Sequence, residues 1–278
     1  MAIKLSMINM KGGVGKSTLA VNLAWHFAGY DTWKGKRILL IDLDPQFNAS
    51  QYLLGVEKYS KIIENKEETV FHIFEQHNPS FKEINLDNVI KSVVHYTDKS
   101  TIDILPAQLE LAYTLKNPGD KVHNLKKFLD KVEQNYDIVI IDCSPTDSIL
   151  TEAAYLCSDY VIVPVRPEYL SSIGLPLLYQ SIQEHKRKYP DSNIEIAGIV
   201  FNATDDYSPE EDKSKINVSE VAETLAIQVF ENEISFSRSY AKGARENKPI
   251  FRTSYARWEK SNEFLRFTKE LAGKVGIK

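Results

Sequence analysis

Short apolar runs alternate with amphipathic stretches along most of the chain. Apolar runs that end in a polar or turn-forming residue are typical of buried strands. They predict strands at residues 3–8, 37–41, 101–105, 137–142, 160–165, 194–201 and 227–230. Apolar residues at helical spacing predict helices at residues 17–27, 69–76, 84–94, 121–134, 173–188, 218–226 and 258–275.

The order of these elements predicts the fold class. Strands that alternate with helices predict an α/β, doubly wound architecture, with a mostly parallel sheet and helices on both faces. The charged stretches 58–68 and 205–215 are predicted to be surface loops. Because no linker or repeat interrupts the pattern, residues 1–278 are predicted to form one domain that ends in a basic helical segment, 238–278.

A glycine-rich turn reading KGGVGKST occupies residues 11–18, between the first predicted strand and the first predicted helix. This layout wraps backbone N–H groups around phosphates. Lys16 would reach the terminal phosphates, and the Ser17 hydroxyl would bind Mg²⁺. The predicted nucleotide-binding residues of the turn are Lys11, Gly12, Gly13, Val14, Gly15, Lys16, Ser17 and Thr18.

The turn departs from the strict P-loop pattern in one respect. The pattern requires a glycine five positions before Gly15, where this chain has Met10, followed by Lys11. One P-loop needs one lysine for its phosphates, and here there are two. Lys11 stands at the entrance, where its stem could point away from its own nucleotide. The alternative is that Lys11 is an ordinary solvated loop lysine.

Aspartates stand at the ends of two predicted buried strands. Asp42 and Asp44 end the second strand, and Asp142 ends the run at 137–142. Ligands bind at the carboxyl ends of strands in an open α/β sheet. Asp142 would then bind Mg²⁺; one of the other two would help to bind it or hold the loop in place, and the second would orient an attacking water. The alternative for Asp42 and Asp44 is that they only cap the next helix.

Asn202 follows the predicted strand at 194–201. Its amide can present both a donor and an acceptor to the edge of an adenine. An asparagine at that position is also suited to capping a turn, so both interpretations stay open.

Charge is distributed unevenly along the chain. The net charge is −4, whereas residues 238–278 contain 11 Lys/Arg and 4 Asp/Glu, a local charge of +7. A basic segment on an acidic body indicates an anionic partner, or else an ordinary solvated helix face. Cys143 and Cys157 lie in apolar surroundings and are predicted to be buried free thiols. No signal peptide or membrane-spanning run is evident, so a cytoplasmic location is expected.

The two-lysine turn resembles the deviant Walker A motif of the ParA/MinD family of ATPases. The segment around Asp44 resembles that family's second signature, and the run ending at Asp142 has the Walker B pattern. The family usually follows this aspartate with one residue and two prolines, whereas residues 143–146 here read CSPT and keep one proline. The resemblance extends from residue 3 to about residue 255.

The resemblance implies a P-loop NTPase fold and an Mg²⁺-dependent ATPase that uses ATP and Mg²⁺. It implies an ATP-driven homodimer in which Lys11 of each subunit reaches the other subunit's nucleotide. The implied catalytic residues are Lys11, Lys16 and Asp44, and the implied metal ligands are Ser17, Asp42 and Asp142. Asn202 would contact adenine, and Pro249 would end a segment, residues 237–249, that closes over the base.

The resemblance also implies partners. A ParB-like centromere-binding protein and non-specific double-stranded DNA would bind the ATP state, so that the protein associates with the nucleoid and drives plasmid or chromosome partition. The candidate DNA contacts are Arg238, Lys242, Arg245 and Lys248.

Two alternatives stay open. The first is a positioning ATPase of the same family with a protein cargo or a membrane track, as in MinD. The final helix, 258–275, is amphipathic, but it is expected to pack on the domain rather than on a membrane. The second is a reductase or metal-cluster carrier on the same scaffold. Cys143 is a candidate for that chemistry, although the chain has no Cys-x-x-Cys pair.

Overall fold

The computed structural model describes residues 2–30, 33, 35–76, 85–205 and 208–278, with backbone alone at positions 86 and 87. The strands of this part of the chain form one sheet. They are β1 Ile3–Met7, β2 Arg37–Leu43, β3 Lys91–His95, β4 Thr101–Leu105, β5 Ile138–Cys143, β6 Tyr160–Val165, β7 Glu195–Thr204 and β8 Ile234–Ser235.

Helices follow most of these strands. They are α1 Lys16–Gly29, α2 Asn48–Leu54, α3 Val56–Glu64, α4 Val70–Glu75, α5 Leu86–Val89, α6 Leu111–Lys116, α7 Asn124–Val132, α8 Ile149–Cys157, α9 Gly174–Lys188, α10 Pro209–Thr224, α11 Arg238–Glu246 and α12 Trp258–Val275. Single 3-10 turns lie at Glu133–Asn135 and Ile250–Arg252.

The strand order is β3-β4-β2-β5-β1-β6-β7-β8. Every described pairing is parallel except that of the edge strand β3 with β4. The register sets Met7 of β1 opposite Asp142 of β5, and Asp142 opposite Asp42 of β2. Because parallel strands end at the same edge of the sheet, the glycine-rich turn and both aspartate-ended strands meet there. The predicted fold class is confirmed.

The sheet is buried on both faces, which explains the continuous apolar runs. Along β2, Ile38 and Leu40 pack with α1, α2, α3 and α12 on one face, while Leu39 and Ile41 pack with α4, α7, α8 and α9 on the other. This alternation follows from the two-residue period of a strand. Each face therefore has its own core, and the central strands contribute to both.

Four predicted segments are wrong. The stretch 58–68 was predicted to be a loop, but most of it lies in α3, where Tyr59 and Ile62 are buried three residues apart and the charged residues occupy the outer side. The stretch 205–215 was also predicted to be a loop. Its described part forms the start of α10, with Ser208 as N-cap and Pro209 in the first turn. Positions 206 and 207 lie outside the described residues.

The third error concerns 84–94, which was predicted to be one helix. Its described part divides into the short α5 and the antiparallel strand β3, because pairing with β4 outweighs local helical spacing. The run at 227–230 makes only one bridge, between Val229 and Ile199, and the last strand is β8 instead.

The C-terminal helix was predicted with the bounds that the structure shows. In α12, Phe264, Phe267 and Leu271 are fully buried against the core shared with α1, as expected for a helix that packs on the domain. Both cysteines are buried and free, as predicted. None of the helices in the described ranges is long and apolar enough to cross a bilayer.

Candidate nucleotide-binding site

Two glycines give the turn after β1 its shape. Gly13 and Gly15 have φ values of 75° and 92°, in the left-handed region that favours glycine. Gly15 is the N-cap of α1, and a Cβ there would lie 2.1 Å from Nδ2 of Asn202. Any side chain at this position would therefore displace Asn202, so the conformation of the turn requires glycine at position 15.

Lys16, the first residue of α1, folds back over the turn. Its Nζ donates to the backbone carbonyls of Asn9 and Lys11, at 3.1 Å in both cases. Burial lowers the pKa of Lys16, and the nearby Asp142, Cys143 and Asp44 oppose that shift. An ammonium held above a ring of backbone amides is suited to contact the phosphates of a bound nucleotide.

Lys11 is directed to a different part of the molecule. Its Nζ lies 2.5 Å from Oε2 of Glu168 and 3.4 Å from Oγ of Ser171, both in the loop between β6 and α9. Hydrogen bonding from Lys11 is the main cause of a lowered pKa at Glu168. The side chain of Lys11 is 36% exposed. The two lysines of the turn thus have different surroundings within one subunit.

Both carboxylate oxygens of Asp42 accept hydrogen bonds. Its Oδ1 accepts from the backbone N–H of Asp44 at 3.0 Å, and its Oδ2 accepts from the N–H and hydroxyl of Ser50 at 2.8 and 2.7 Å. Burial raises the pKa of Asp42 to about 7. Its carboxylate therefore fixes the loop after β2 and the start of α2, and with them the position of Asp44.

Asp142 has the opposite character. It is fully buried at the end of β5, and neither carboxylate oxygen makes a hydrogen bond within the described part of the chain. Burial, followed by the charge of Asp42, raises its pKa well above the usual range; the nearby Ser17 hydroxyl and Lys16 ammonium oppose that shift, although neither makes a hydrogen bond to the carboxylate. An unpartnered buried carboxylate is costly unless a cation satisfies it.

The oxygen atoms of Asp142 and Ser17 are of the kind that Mg²⁺ binds. No group of three or more His, Cys, Asp or Glu among the described residues could hold a metal by itself. Mg²⁺ is commonly bound by one or two carboxylates together with waters and phosphate oxygens. Asp142 and the hydroxyl of Ser17 could supply the protein's share of such a site.

A cavity of about 730 Å³ opens above the turn. One wall is the turn itself, a second is the Asp44–Gln46 loop with α2, and the third is the end of α11. The sequence did not predict that Asn48, Gln51 and Tyr52 of α2 line the cavity. The signal was that α2 directly follows the loop that contains Asp44. Arg245 lines this cavity too.

Two other predicted residues, Asn202 and Pro249, are both buried. Asn202 is buried inside β7, rather than after a strand, and its Nδ2 donates to the carbonyl of Val14 at 2.7 Å. A neighbouring cavity of about 350 Å³ begins at Ala203 and is bordered by Phe236. Pro249 is buried, and the next residue, Ile250, donates its N–H to Oδ1 of Asn22 at 2.9 Å.

The fold and the site define a P-loop nucleotide-binding protein of the α/β class. A family model described as an AAA domain matches residues 2–196. The chain is 33% identical over 204 residues to the sporulation initiation inhibitor protein Soj of Bacillus subtilis, covering 72% of each chain. It is 30% identical over 280 residues to a virulence plasmid ParA family protein of Chlamydia psittaci, covering 98% of this chain and 95% of that one.

Solved structures share the fold. The ATP complex of a single-residue variant of Cyanothece McdA superposes with a TM-score of 0.80 at 18% identity, over 100% of this chain and 97% of that one. A putative plasmid partition protein of Borrelia burgdorferi bound to AMPPNP gives 0.71 at 24% identity, over 97% and 100%. The chain belongs to the ParA/MinD family of P-loop ATPases and is a positioning ATPase of the ParA type.

Proposed function

We propose that this protein is an Mg²⁺-dependent ATPase that dimerises on ATP, binds non-specific double-stranded DNA in that state, and drives plasmid or chromosome partition with a ParB-like partner. The observation that carries the proposal is the separation of the two lysines. Lys16 closes over its own P-loop, whereas Lys11 is held by Glu168. Lys11 therefore makes no contact with its own P-loop, and it would reach another subunit's nucleotide by exchanging its surface ion pair with Glu168, an exchange of low cost.

In this proposal the phosphates lie on the amides of residues 12–18 and on Lys16, with Ser17 and Asp142 as metal ligands. Bound Mg²⁺ would neutralise charge that develops on the phosphoryl oxygens. Asp42 positions the loop through its three hydrogen bonds rather than binding the metal. Asp44, whose Oδ1 accepts from the N–H of Gln46 at 2.9 Å, would orient a water through its remaining lone pairs.

The base would lie beside Asn202 and extend into the neighbouring cavity. Phe236 borders that cavity and is 62% exposed, so its ring offers a face for stacking. Val14 and Asn202 are joined by a hydrogen bond, which would fix the base relative to the phosphates.

DNA would bind along α11. Arg238, Lys242 and Lys248 are exposed there. Lys242 and Lys248 lie 3.5 and 3.9 Å from Glu246, in surface ion pairs that contribute little to stability. DNA phosphates could replace Glu246 as their partner at low cost. The guanidinium of Arg245 lines the nucleotide cavity, in contrast with the other three.

The test is DNA binding by the purified protein with ATPγS and Mg²⁺, with ADP as the control. We expect binding only with ATPγS, with affinity that falls by about tenfold or more between 50 and 200 mM salt, because phosphate contacts release counterions. A parallel arm uses anionic liposomes. Binding to liposomes and not to DNA, or equal DNA binding with ADP, would contradict the proposal.

A further inference from the structure

Arg245 is a free cation at the mouth of the nucleotide cavity. It lies in the last turn of α11 and lines the cavity together with the P-loop and Asp44. Across the described ranges, its guanidinium has neither an ion pair nor a hydrogen bond, whereas Lys242 and Lys248 on either side of it approach Glu246. Arg245 is thus the basic residue of this segment that faces the cavity without a partner.

The end of α11 is fixed in this position by α2. The hydroxyl of Tyr52 donates to the backbone carbonyl of Lys248 at 3.2 Å. Gly243 packs so closely that a Cβ there would lie 2.6 Å from both of these atoms. Asn247 reaches the carbonyl of Tyr52 at 3.5 Å. These contacts hold the stem of Arg245 at the cavity wall.

The charged residues around the cavity do not by themselves neutralise a bound nucleotide. Of the charged side chains that line the cavity, Asp44 is acidic, and Lys16 is engaged with the carbonyls of its own turn. Lys11 is withdrawn to Glu168. A nucleotide brings several negative charges into this space. Among the described residues of one subunit that line the cavity, Arg245 is the cation that has no competing partner.

We propose that Arg245 binds the phosphates of the nucleotide, so that α11 forms part of the nucleotide site and not only of a DNA surface. The planar guanidinium can donate two parallel N–H groups to phosphate oxygens. This inference rests on the proposed function, because it requires that ATP occupies the cavity.

The test measures the dissociation constant of ATPγS with Mg²⁺ by calorimetry. Arg245→Ala should raise it about tenfold or more, because a charge-assisted hydrogen bond is lost. Arg245→Lys keeps the charge but not the fork, and should lose less. Arg266→Ala is the control, because Arg266 is an exposed arginine of α12 away from the cavity. It should change the constant by less than about twofold.

An ATPγS affinity of Arg245→Ala equal to that of the wild type would overturn the inference. If DNA binding at saturating ATPγS is weakened at the same time, Arg245 is a DNA contact instead. Thermal unfolding without nucleotide checks that the variants fold. A wild-type protein that binds no ATPγS would refute the proposed function itself, and this inference with it.

Discussion

At the scale of single residues, the carboxylates at the ends of β2 and β5 are the most unusual groups in the protein. Asp42 and Asp142 are adjacent across the sheet and fully buried. Burial is the main reason that both have raised pKa values; the charge of Asp44 adds to the shift at Asp42, and the charge of Asp42 adds to the shift at Asp142. Asp42 is compensated by hydrogen bonds and Asp142 is not, which supports our proposal that the first holds the loop in place and the second binds the metal.

The raised pKa of Asp42 predicts how stability depends on pH without nucleotide. Its pKa is about 7 in the folded protein, against a usual 3.8. The folded state therefore keeps a proton that the unfolded state releases, and this contribution is lost as pH rises from about 4 to 7. Relative to Asp42→Asn, the wild type should lose stability over that range, by at most about 4 kcal/mol.

Urea denaturation at pH 5 and pH 8 measures the effect. The comparison uses the difference between variant and wild type, because burial lowers the pKa of His26 to about 3 and so acts in the opposite direction. Asp191→Asn, at an exposed position, is the control and should show no pH-dependent difference. A constant difference between Asp42→Asn and the wild type would contradict the assignment.

At the scale of elements, burial decided what the sequence could predict. Strands β4 and β6 were predicted to the residue, β4 from the alternation of its buried and half-buried residues and β6 from an apolar run that is bounded by polar residues. The edge strand β3 was missed, because its half-buried residues have no such contrast. In α3, two buried residues were outweighed by the charges around them.

The site could be predicted only in part, because some of its residues are adjacent in sequence and others are not. Residues in a contiguous motif, such as Lys16 and Ser17, are fixed by local chain geometry. Arg245 reaches the cavity only because α11 packs on α2, a contact between segments almost 200 positions apart that leaves no local pattern.

Helix α10 allows a test at this scale. Ser208 caps it by accepting from the N–H of Glu211, and three acidic residues occupy the first turn. Ser208→Ala should lower the free energy of unfolding by about 1 kcal/mol, because the side-chain acceptor of that N–H is lost and only the backbone carbonyl of residue 208 remains. Ser219→Ala, in the middle of the same helix, is the matched control and should leave the free energy of unfolding unchanged or raise it by about 0.5 kcal/mol, because alanine has the higher helix propensity. Equal effects in urea denaturation would show that the cap does not stabilise α10.

At the scale of the whole molecule, the account depends on where the two cations of the P-loop act. Glu168 also lies 3.2 Å from Nε of Arg166, so the loop after β6 forms a small charged cluster around Lys11. Next to it, Tyr169 and Leu170 are 87% and 57% exposed. An exposed apolar patch beside a charged cluster is typical of a surface that contacts another protein.

The most direct measurement is the oligomeric state of Lys11→Ala by analytical ultracentrifugation with Mg²⁺ and either ATPγS or ADP. The wild type and the control Lys127→Ala, at an exposed position of α7, should dimerise with ATPγS and stay monomeric with ADP. Lys11→Ala should stay monomeric with both while it still binds ATPγS, because only the contact across the interface is lost. A Lys11→Ala protein that dimerises with ATPγS as readily as the wild type would contradict the account.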